Sequence, residues 1–149
     1  MRAVVQRVSS ARVRVEERIA GEVAHGLLAL VSVGVDDEEH DARAMAEKIA
    51  ELRIFPDDDG LMNRSLRDVG GALLLVSQFT LHGDVRRGRR PSFVAAAPPE
   101  RAKSLYEKAG AFVEAMGVPV AYGVFGAQMA VELTNEGPVT ILIDTKRLF

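Results

Sequence analysis

Two runs of apolar residues constrain the fold of this chain more than any other feature of its sequence. The first extends from Leu27 to Val33 and is nearly continuous, and the second extends from Ala72 to Val76. Glycine precedes both runs, and neither is long enough for a typical helix. Short apolar runs of this kind are typical of strands that are covered on both faces. The sequence therefore predicts a central sheet with other elements packed on both of its sides.

Further strands are predicted where apolar and polar residues alternate. Before the first run, the predicted strands are Val4–Val8, Ala11–Val15 and Ile19–Val23, and between the runs the pattern is extended at Arg53–Phe55. After the second run, the predicted strands are Val118–Phe125, Met129–Thr134 and Val139–Ile143. A turn is predicted at Asn135–Pro138, between the last two strands.

Two helices are predicted from apolar residues at helical spacing. The first follows Asp36–Asp37, and its apolar stripe consists of Ala42, Met45, Ala46, Ile49 and Leu52. The second begins near Pro98–Pro99 and ends at Gly117, with an apolar stripe of Ala102, Leu105, Tyr106, Ala109, Phe112, Val113 and Met116. We therefore expect residues 1–149 to form a single α/β domain in which two helices pack on antiparallel or mixed β-sheets.

Several kinds of site lack the residues that they need. The chain has no cysteine, which excludes disulfides, thiolate nucleophiles and cysteine-bound metals. Neither of the glycine-rich nucleotide-binding motifs occurs. The histidines His25, His40 and His82 lack the spacing of a zinc site, and each is expected at the surface or in a loop. Asp57–Gly60 is predicted to be a turn, because Leu61 stands where a calcium loop needs an oxygen ligand. We therefore expect neither a metal nor a cofactor.

The N-terminal residues lack the apolar stretch of a signal peptide, and no run of the sequence approaches the length of a membrane span. We therefore expect a cytoplasmic protein with no membrane partner. The formal net charge of −2 argues against a protein that coats nucleic acid through a broad basic face. One basic cluster stands out, namely Arg86, Arg87, Arg89 and Arg90. This cluster either binds phosphates at one RNA end or forms a solvated loop, and the sequence leaves both interpretations open.

In two segments, polar residues or residues with unusual backbone properties follow directly on apolar strands. In the first, Ser77 and Thr80 offer hydroxyl groups, Gln78 offers an amide, and the strand end leaves backbone N–H groups free for a ligand. In the second, Gly137 allows close approach of the backbone and Pro138 removes a competing N–H. Each segment also has a plain structural interpretation, as a strand end and as a tight turn.

Taken together, the segments Ser77–Leu81 and Asn135–Thr140 closely resemble the two signature motifs of the D-aminoacyl-tRNA deacylase family. Other segments follow in the family's order, so the resemblance spans essentially the whole chain: Gln6–Val8, Arg53–Phe55, Met62–Asn63, Gly70–Gly71, Arg90–Phe93, Phe125–Ala127 and Met129. The departures from the family pattern are His82–Gly83 and Glu136, and neither disturbs a site residue that the resemblance implies.

The resemblance implies a homodimer that acts on the acceptor end of a tRNA carrying a D-amino acid, with mischarged glycine as a further candidate substrate. It implies that a cis Gly137–Pro138 peptide reaches into the partner's site, where its carbonyls hold the substrate amino group and exclude L side chains. It further implies that Arg7 holds the partner's Gly-Pro segment and that Met129 lines the position of the terminal adenosine. Arg7 as a surface charge and Met129 as a core residue are the competing interpretations.

The residue inventory disfavours a protein nucleophile, because the chain has no cysteine and Thr80 has no general base beside it in sequence. We therefore expect water to attack the ester carbonyl, with the backbone N–H groups of Phe79 and Thr80 stabilising the oxyanion and the ribose hydroxyl assisting. Ser77 and Gln78 complete the candidate catalytic segment. Two rival hypotheses stay open: a non-catalytic module that binds RNA ends, and a structural dimer whose Gly-Pro turn completes an interface.

Overall fold

A mixed six-stranded sheet forms the frame of the chain, and the computed structural model describes residues 1–149. The strands of this sheet are β1 (Arg2–Val15), β2 (Arg18–Val23), β3 (Gly26–Ser32), β6 (Ala72–Ser77), β7 (Val120–Tyr122) and β8 (Ala130–Asp144). A separate small hairpin consists of β4 (Phe55–Pro56) and β5 (Met62–Arg64). The helices are α1 (Glu39–Glu51) and α2 (Pro99–Ala115), and a 3₁₀ turn spans Phe79–His82.

The strand β3 lies in the middle of the sheet. It pairs antiparallel with β1 and parallel with β6, and β6 pairs parallel with β7. Parallel neighbours need a crossover, and the two helices supply it, with α1 between β3 and β6 and α2 between β6 and β7. Neither helix has the length and apolar composition that crossing a membrane requires. The predicted α/β class with two helices on a mixed sheet is confirmed.

Both predicted central strands are buried on both faces. Alternate residues of β3 and β6, such as Leu27 and Leu73, belong to the large core that the helices cover. Their neighbours Leu28 and Leu74 belong to a second apolar cluster on the opposite face. Because successive side chains of a strand point to opposite faces, this division explains why both sequence runs are almost wholly apolar.

The prediction of two separate strands at Val4–Val8 and Ala11–Val15 was wrong, because β1 is one continuous strand. Its first half pairs with β3 and its second half pairs with β2 on the same edge. On the other edge of β1, β8 pairs with almost the entire length of the strand. These partners hold the chain extended through the exposed Ser9 and Ser10, where the local alternation of apolar residues fails.

The predicted turn at Asn135–Pro138 is instead a bulge within a single strand, β8. Gln6 pairs with Thr140 and Val8 pairs with Asn135, so residues 136–139 all lie opposite Arg7. Pairing with β1 resumes on both sides of the bulge, and the direction of β8 is therefore kept. We refer to residues 136–139 as the Gly-Pro bulge. The predicted strand Val118–Phe125 is also shorter in the structure, where it is β7.

Candidate active site

A cavity of about 790 Å³ opens beside the carboxyl ends of β3 and β6, and most of its walls are apolar. Of the residues predicted from the sequence, Ser77, Gln78, Phe79 and Met129 line it. Thr80 is the next residue along the chain after Phe79 and belongs to the 3₁₀ turn. The end of a parallel strand pair is where an α/β sheet commonly presents a ligand site, and the two strands deliver these residues to that position.

The backbone at the end of β6 leaves two donors free. Gln78 N donates to the carbonyl of Val31 at 2.8 Å, which is the last backbone hydrogen bond between β3 and this segment, and the chain then enters the 3₁₀ turn. The turn's own hydrogen bonds begin with Leu81 N donating to Gln78 O at 3.2 Å. The N–H groups of Phe79 and Thr80 precede this first bond, as the first donors of any helical turn do. Both are therefore available to a bound group.

The side chains of this turn have different roles. The Phe79 ring is 56% exposed and packs edge-on against the Phe93 ring, with 5.0 Å between centroids. The Thr80 hydroxyl accepts a hydrogen bond from the Gln78 side-chain amide. An amide donor does not activate a hydroxyl as a nucleophile, since activation needs a base that takes the proton. The local contacts of Thr80 thus agree with the expectation that its side chain is not the nucleophile.

Met129 lies between the cavity and the core. Its thioether forms part of the cavity wall, and its side chain also packs against the cluster that contains Val76. The sulfur accepts a hydrogen bond from Val124 N at 3.4 Å. The two roles weighed from the sequence, contact with a ligand and core packing, are therefore compatible at this position.

Arg7 holds the Gly-Pro bulge of its own chain. Its Nε donates to the carbonyl of Glu136 at 2.8 Å, and its Nη1 donates to the carbonyl of Ile54 at 2.7 Å. The contact of Arg7 with the partner's segment, which the resemblance implies, stays a prediction. The contact within the chain follows from the antiparallel pairing of β1 with β8, which places Arg7 directly beside the bulge of the same chain.

Glu136, Gly137 and Pro138 of the Gly-Pro bulge are exposed, whereas Val139 is buried, and the bulge lies outside the cavity wall of its own chain. The Gly137–Pro138 peptide bond is cis, as the resemblance implied. Gly137 has a φ of 145°, and a Cβ there would lie 2.8 Å from Val139 Cγ2, so glycine is required. Asn135 braces the bulge: its Oδ1 accepts from Val139 N at 2.8 Å and its Nδ2 donates to Val139 O at 3.1 Å. The predicted site residues thus fall into two groups, one at the cavity and one at the bulge.

His82 was expected at the surface or in a loop; it lies in the turn after β6, but its side chain is buried and not at the surface. Its Nδ1 lies 2.6 Å from Ser32 Oγ, and Ser32 also donates to the carbonyl of Phe79 at 3.3 Å. Burial, reinforced by the Arg2 guanidinium and opposed by nearby carboxylates, lowers the pKa of His82 below its usual value. Ser32 is the only polar residue of the first apolar run, which marks Ser32 in the sequence but does not indicate its partner His82.

The arginine cluster belongs to a loop that Asp84 and Ser92 close through two backbone hydrogen bonds of 2.8 and 3.0 Å. Arg86 is bound to Asp84 by Nε at 2.9 Å and by Nη2 at 2.7 Å, and this contact lowers the pKa of Asp84 to about 2. The other three arginines are exposed and form no ion pair within the chain: Arg87, Arg89 and Arg90. This arginine loop connects the 3₁₀ turn at Phe79–His82, which we call the candidate catalytic turn, to Phe93 in the cavity wall.

The acidic turn at Asp57–Gly60 has a structural explanation. The Asp57 carboxylate accepts hydrogen bonds from the Asn63 amide at 2.7 Å and from the N–H groups of Asp59 and Leu61 at 2.9 and 3.0 Å. The bond from Asn63 contributes most to lowering the pKa of Asp57 below its usual value. Its oxygens therefore close the hairpin between β4 and β5.

Comparison with known proteins gives one consistent family. The family model described as D-Tyr-tRNA(Tyr) deacylase matches residues 4–144. The D-aminoacyl-tRNA deacylase of Koribacter versatilis (strain Ellin345) is 61% identical over 149 residues, and that of Thermotoga petrophila is 54% identical over 149 residues; each match covers 100% of both chains. A solved structure, the c-Myc DNA Unwinding Element Binding Protein, superposes with a TM-score of 0.92 at 35% identity, covering 97% of this chain and 99% of that one. The chain therefore belongs to the D-Tyr-tRNA(Tyr) deacylase family.

Proposed function

We propose that this chain is a D-aminoacyl-tRNA deacylase: it hydrolyses the ester between a D-amino acid and the 3′ end of tRNA, and so removes wrong-handed residues before translation uses them. The observation that carries the proposal is an apolar cavity lined by Phe79, whose free N–H group stands next to that of Thr80 at the start of the 3₁₀ turn. Relatives that match the chain over its whole length are named D-aminoacyl-tRNA deacylases.

The cavity suits the end of a charged tRNA. Its volume of about 790 Å³ is within the range of small-molecule sites. The apolar walls, with Met129 among them, suit the flat ring of a terminal adenosine. This position of the adenosine brings the ester bond toward Ser77 and Gln78 at the polar end of β6.

The chemistry that fits this arrangement is attack by water on the ester carbonyl. As the carbonyl carbon becomes tetrahedral, its oxygen gains negative charge and accepts hydrogen bonds from the N–H groups of Phe79 and Thr80. Loss of one such donor typically costs about 2.7 to 4 kcal/mol of transition-state stabilisation. The adjacent ribose hydroxyl assists proton transfer, and the alkoxide that leaves takes up a proton to become the free ribose hydroxyl.

Selection for the D configuration falls to the Gly-Pro bulge of a second copy of the chain. The bulge lies on β8, which pairs only with β1 and so has one free edge for a partner. Glu136, Gly137 and Pro138 of the bulge are exposed, and the bulge is absent from its own cavity wall. In the homodimer, the carbonyls of Gly137 and Pro138 hold the substrate amino group so that an L side chain collides with the backbone. Glycine has no side chain to reject, so glycyl-tRNA is also a substrate under this scheme.

The arginine loop supplies the contact with the tRNA backbone. Arg87, Arg89 and Arg90 have no carboxylate partner and lie on a loop that leads directly to the cavity wall. Guanidinium groups bind phosphate through paired hydrogen bonds, and the acceptor strand carries phosphates next to its 3′ end.

The test is incubation of the purified protein with D-tyrosyl-tRNA and L-tyrosyl-tRNA in parallel, with release of tyrosine followed over time. Release from the D form alone supports the proposal. Binding of both forms without release favours the rival module that binds RNA ends, and neither binding nor release favours the structural dimer. A DNA duplex serves as a competitor, because the solved relative is named for binding a DNA element.

A further inference from the structure

Ser32, His82 and the peptide group between Phe79 and Thr80 form a buried polar chain beneath the candidate catalytic turn. Ser32 Oγ lies 2.6 Å from His82 Nδ1 and donates to the Phe79 carbonyl at 3.3 Å. The two side chains belong to residues that are only 2% and 8% exposed. The two residues are 50 positions apart, and no local pattern of the sequence joins them.

The protons of this chain can be assigned by counting donors. A serine hydroxyl has one proton, and here it goes to the Phe79 carbonyl. With the hydroxyl proton of Ser32 placed on the Phe79 carbonyl, the short contact between Ser32 and His82 takes the imidazole as its donor, in the tautomer that carries its proton on Nδ1. The order of donation is therefore from His82 to Ser32 and from Ser32 to the carbonyl of Phe79. Hydrogen bonds arranged in series polarise one another, so each donor strengthens the next.

The carbonyl at the end of this chain shares its peptide group with the N–H of Thr80. That peptide is trans, so its C=O and N–H point in opposite directions. Holding the carbonyl toward the buried Ser32 therefore holds the Thr80 N–H away from the core, on the exposed side of the turn. A donor to the carbonyl also draws electron density through the peptide group and makes its N–H a stronger donor.

We propose that Ser32 and His82 are positioning residues, which keep the Phe79–Thr80 peptide oriented so that the Thr80 N–H meets the oxyanion of the substrate. This inference rests on the proposed deacylase function and adds two residues that lie outside the signature segments. Neither side chain contacts the reacting atoms in this scheme, and both act through the peptide group.

Other contacts also hold the 3₁₀ turn in place, so the positioning role of Ser32 can be tested separately from support of the turn. Arg2 Nη1 donates to the carbonyl of Leu81 at 3.1 Å, and the turn keeps its own hydrogen bonds from Leu81 and Gly83. These contacts do not involve Ser32. Removal of the Ser32 hydroxyl therefore leaves the turn in place. It removes the hydrogen bond that orients one peptide group within the turn, the peptide between Phe79 and Thr80.

The experiment compares Ser32→Ala and His82→Leu with two conservative variants. Ser32→Thr keeps the hydroxyl, and His82→Asn keeps an N–H donor near the position of Nδ1. The matched control is Ser65→Ala, because Ser65 is also a buried serine, 3% exposed, and its only side-chain hydrogen-bond partner is Asp68 N, away from the cavity. Folding is checked by thermal unfolding, and single-turnover deacylation of D-tyrosyl-tRNA gives the rate and the half-saturating concentration separately.

We expect Ser32→Ala and His82→Leu to lower the rate roughly tenfold, less than the 10²- to 10³-fold loss of a deleted oxyanion donor, because the N–H is misdirected but present. Half-saturation should stay within about twofold of wild type, since substrate binding uses other groups. The conservative variants should recover most of the rate, and Ser65→Ala should keep it. The amide proton resonance of Thr80 should shift upfield in Ser32→Ala, which tests the contact by NMR without turnover.

Wild-type rates in both Ser32→Ala and His82→Leu, or an unmoved Thr80 resonance, would overturn the positioning role. If His82→Leu does not fold, Ser32→Ala decides the question alone, since it removes a single atom. A wild-type protein that releases no tyrosine would refute the proposed function itself, and this result is distinct from equal rates in wild type and variants.

Discussion

Arg7 Nε donates a 2.8 Å hydrogen bond to the carbonyl of Glu136 at the point where β1 and β8 lose register. The same guanidinium binds the carbonyl of Ile54 at 2.7 Å, just before β4. Arg7 thus ties the Gly-Pro bulge to a second segment of the chain, and the bulge is held from β1 as well as by Asn135. Because the Gly-Pro bulge is fixed in this way, it is suited to act as a rigid element of a binding site.

Replacement of Arg7 by alanine is expected to loosen the bulge. A hydrogen bond from a charged donor contributes about 1.5 to 3 kcal/mol when buried, but Arg7 is partly exposed, so we expect a total destabilisation of about 1 to 2 kcal/mol. Discrimination between D- and L-tyrosyl-tRNA should fall by at least about tenfold, which corresponds to 1.4 kcal/mol. Urea unfolding and the two values of kcat/KM measure these effects.

Arg12→Ala is the control for this prediction, because Arg12 lies on the same strand and forms an exposed ion pair with Glu132. It should change stability by less than about 1 kcal/mol and leave discrimination intact. Unchanged discrimination in Arg7→Ala would show that the bulge does not need this anchor.

Substitutions at Thr80 separate its side chain from its backbone. Thr80→Ala keeps the N–H and should retain most of the activity, whereas Thr80→Pro removes the N–H and should lower kcat by about 10²- to 10³-fold. Single-turnover rates and the circular dichroism of each variant provide the comparison. Loss of turnover in Thr80→Ala with substrate binding intact would point to the hydroxyl as a nucleophile.

The lowered pKa of the Asp41 carboxyl predicts how the stability of the fold depends on pH. Burial alone would raise the pKa of Asp41, but hydrogen bonds from the Glu38 N–H, the Thr145 hydroxyl and the Lys146 ammonium outweigh burial, and the pKa lies well below its ordinary value of 3.8. A carboxyl with a lowered pKa in the folded state stabilises the fold above its unfolded-state pKa. That contribution is lost as the pH falls below 3.8 toward the folded-state value.

Asp41→Asn should therefore be less stable than wild type by about 1 to 3 kcal/mol at pH 7, which is the usual cost of leaving buried partners unsatisfied. The difference should hold down to about pH 4 and shrink below it. Urea unfolding at a series of pH values checks this. A difference that does not change between pH 7 and pH 2 would contradict the assignment.

Removal of the free arginines should weaken tRNA binding through salt-dependent contacts. In a variant with alanine at Arg87, Arg89 and Arg90, the KM for D-tyrosyl-tRNA should rise and kcat should change little, because the loop binds phosphates and not the ester. Each lost phosphate contact should reduce the salt dependence of binding by about 0.7 in the log–log slope. Arg18→Ala, an exposed arginine on β2, serves as the control. An unchanged slope would mean that the loop is only solvated.

Much of the fold could be predicted because its signals are local. The apolar stripe that contains Met45 and Ile49 is visible within one window of sequence, and so are the runs around Leu28 and Leu74. The extent of the long strands depends on partners far away in the chain. Gly137–Pro138 is a strong local signal for a turn. The chain nevertheless keeps its direction there, because β8 pairs with β1 on both sides of this dipeptide.

The candidate site divides in the same way. Ser77 to Thr80 could be found because polar residues directly follow a buried strand. The contact between Ser32 and His82 could not be found, since it depends on the parallel pairing of β3 with β6. The position of Arg7 beside its own bulge likewise follows from the register of β1 against β8.

The central claim is that each site combines the turn of one protomer with the Gly-Pro bulge of its partner. Two variants that the account predicts to be inactive test it, Thr80→Pro and Gly137→Val, produced together with different affinity tags so that only mixed dimers are purified. Each mixed dimer contains one site with an intact turn and an intact bulge, so about half of the wild-type activity should return. The mirror experiment pairs a wild-type chain with a chain that carries both substitutions, and that dimer should be inactive. Activity in the mirror dimer and none in the first would place turn and bulge in one chain and contradict the account.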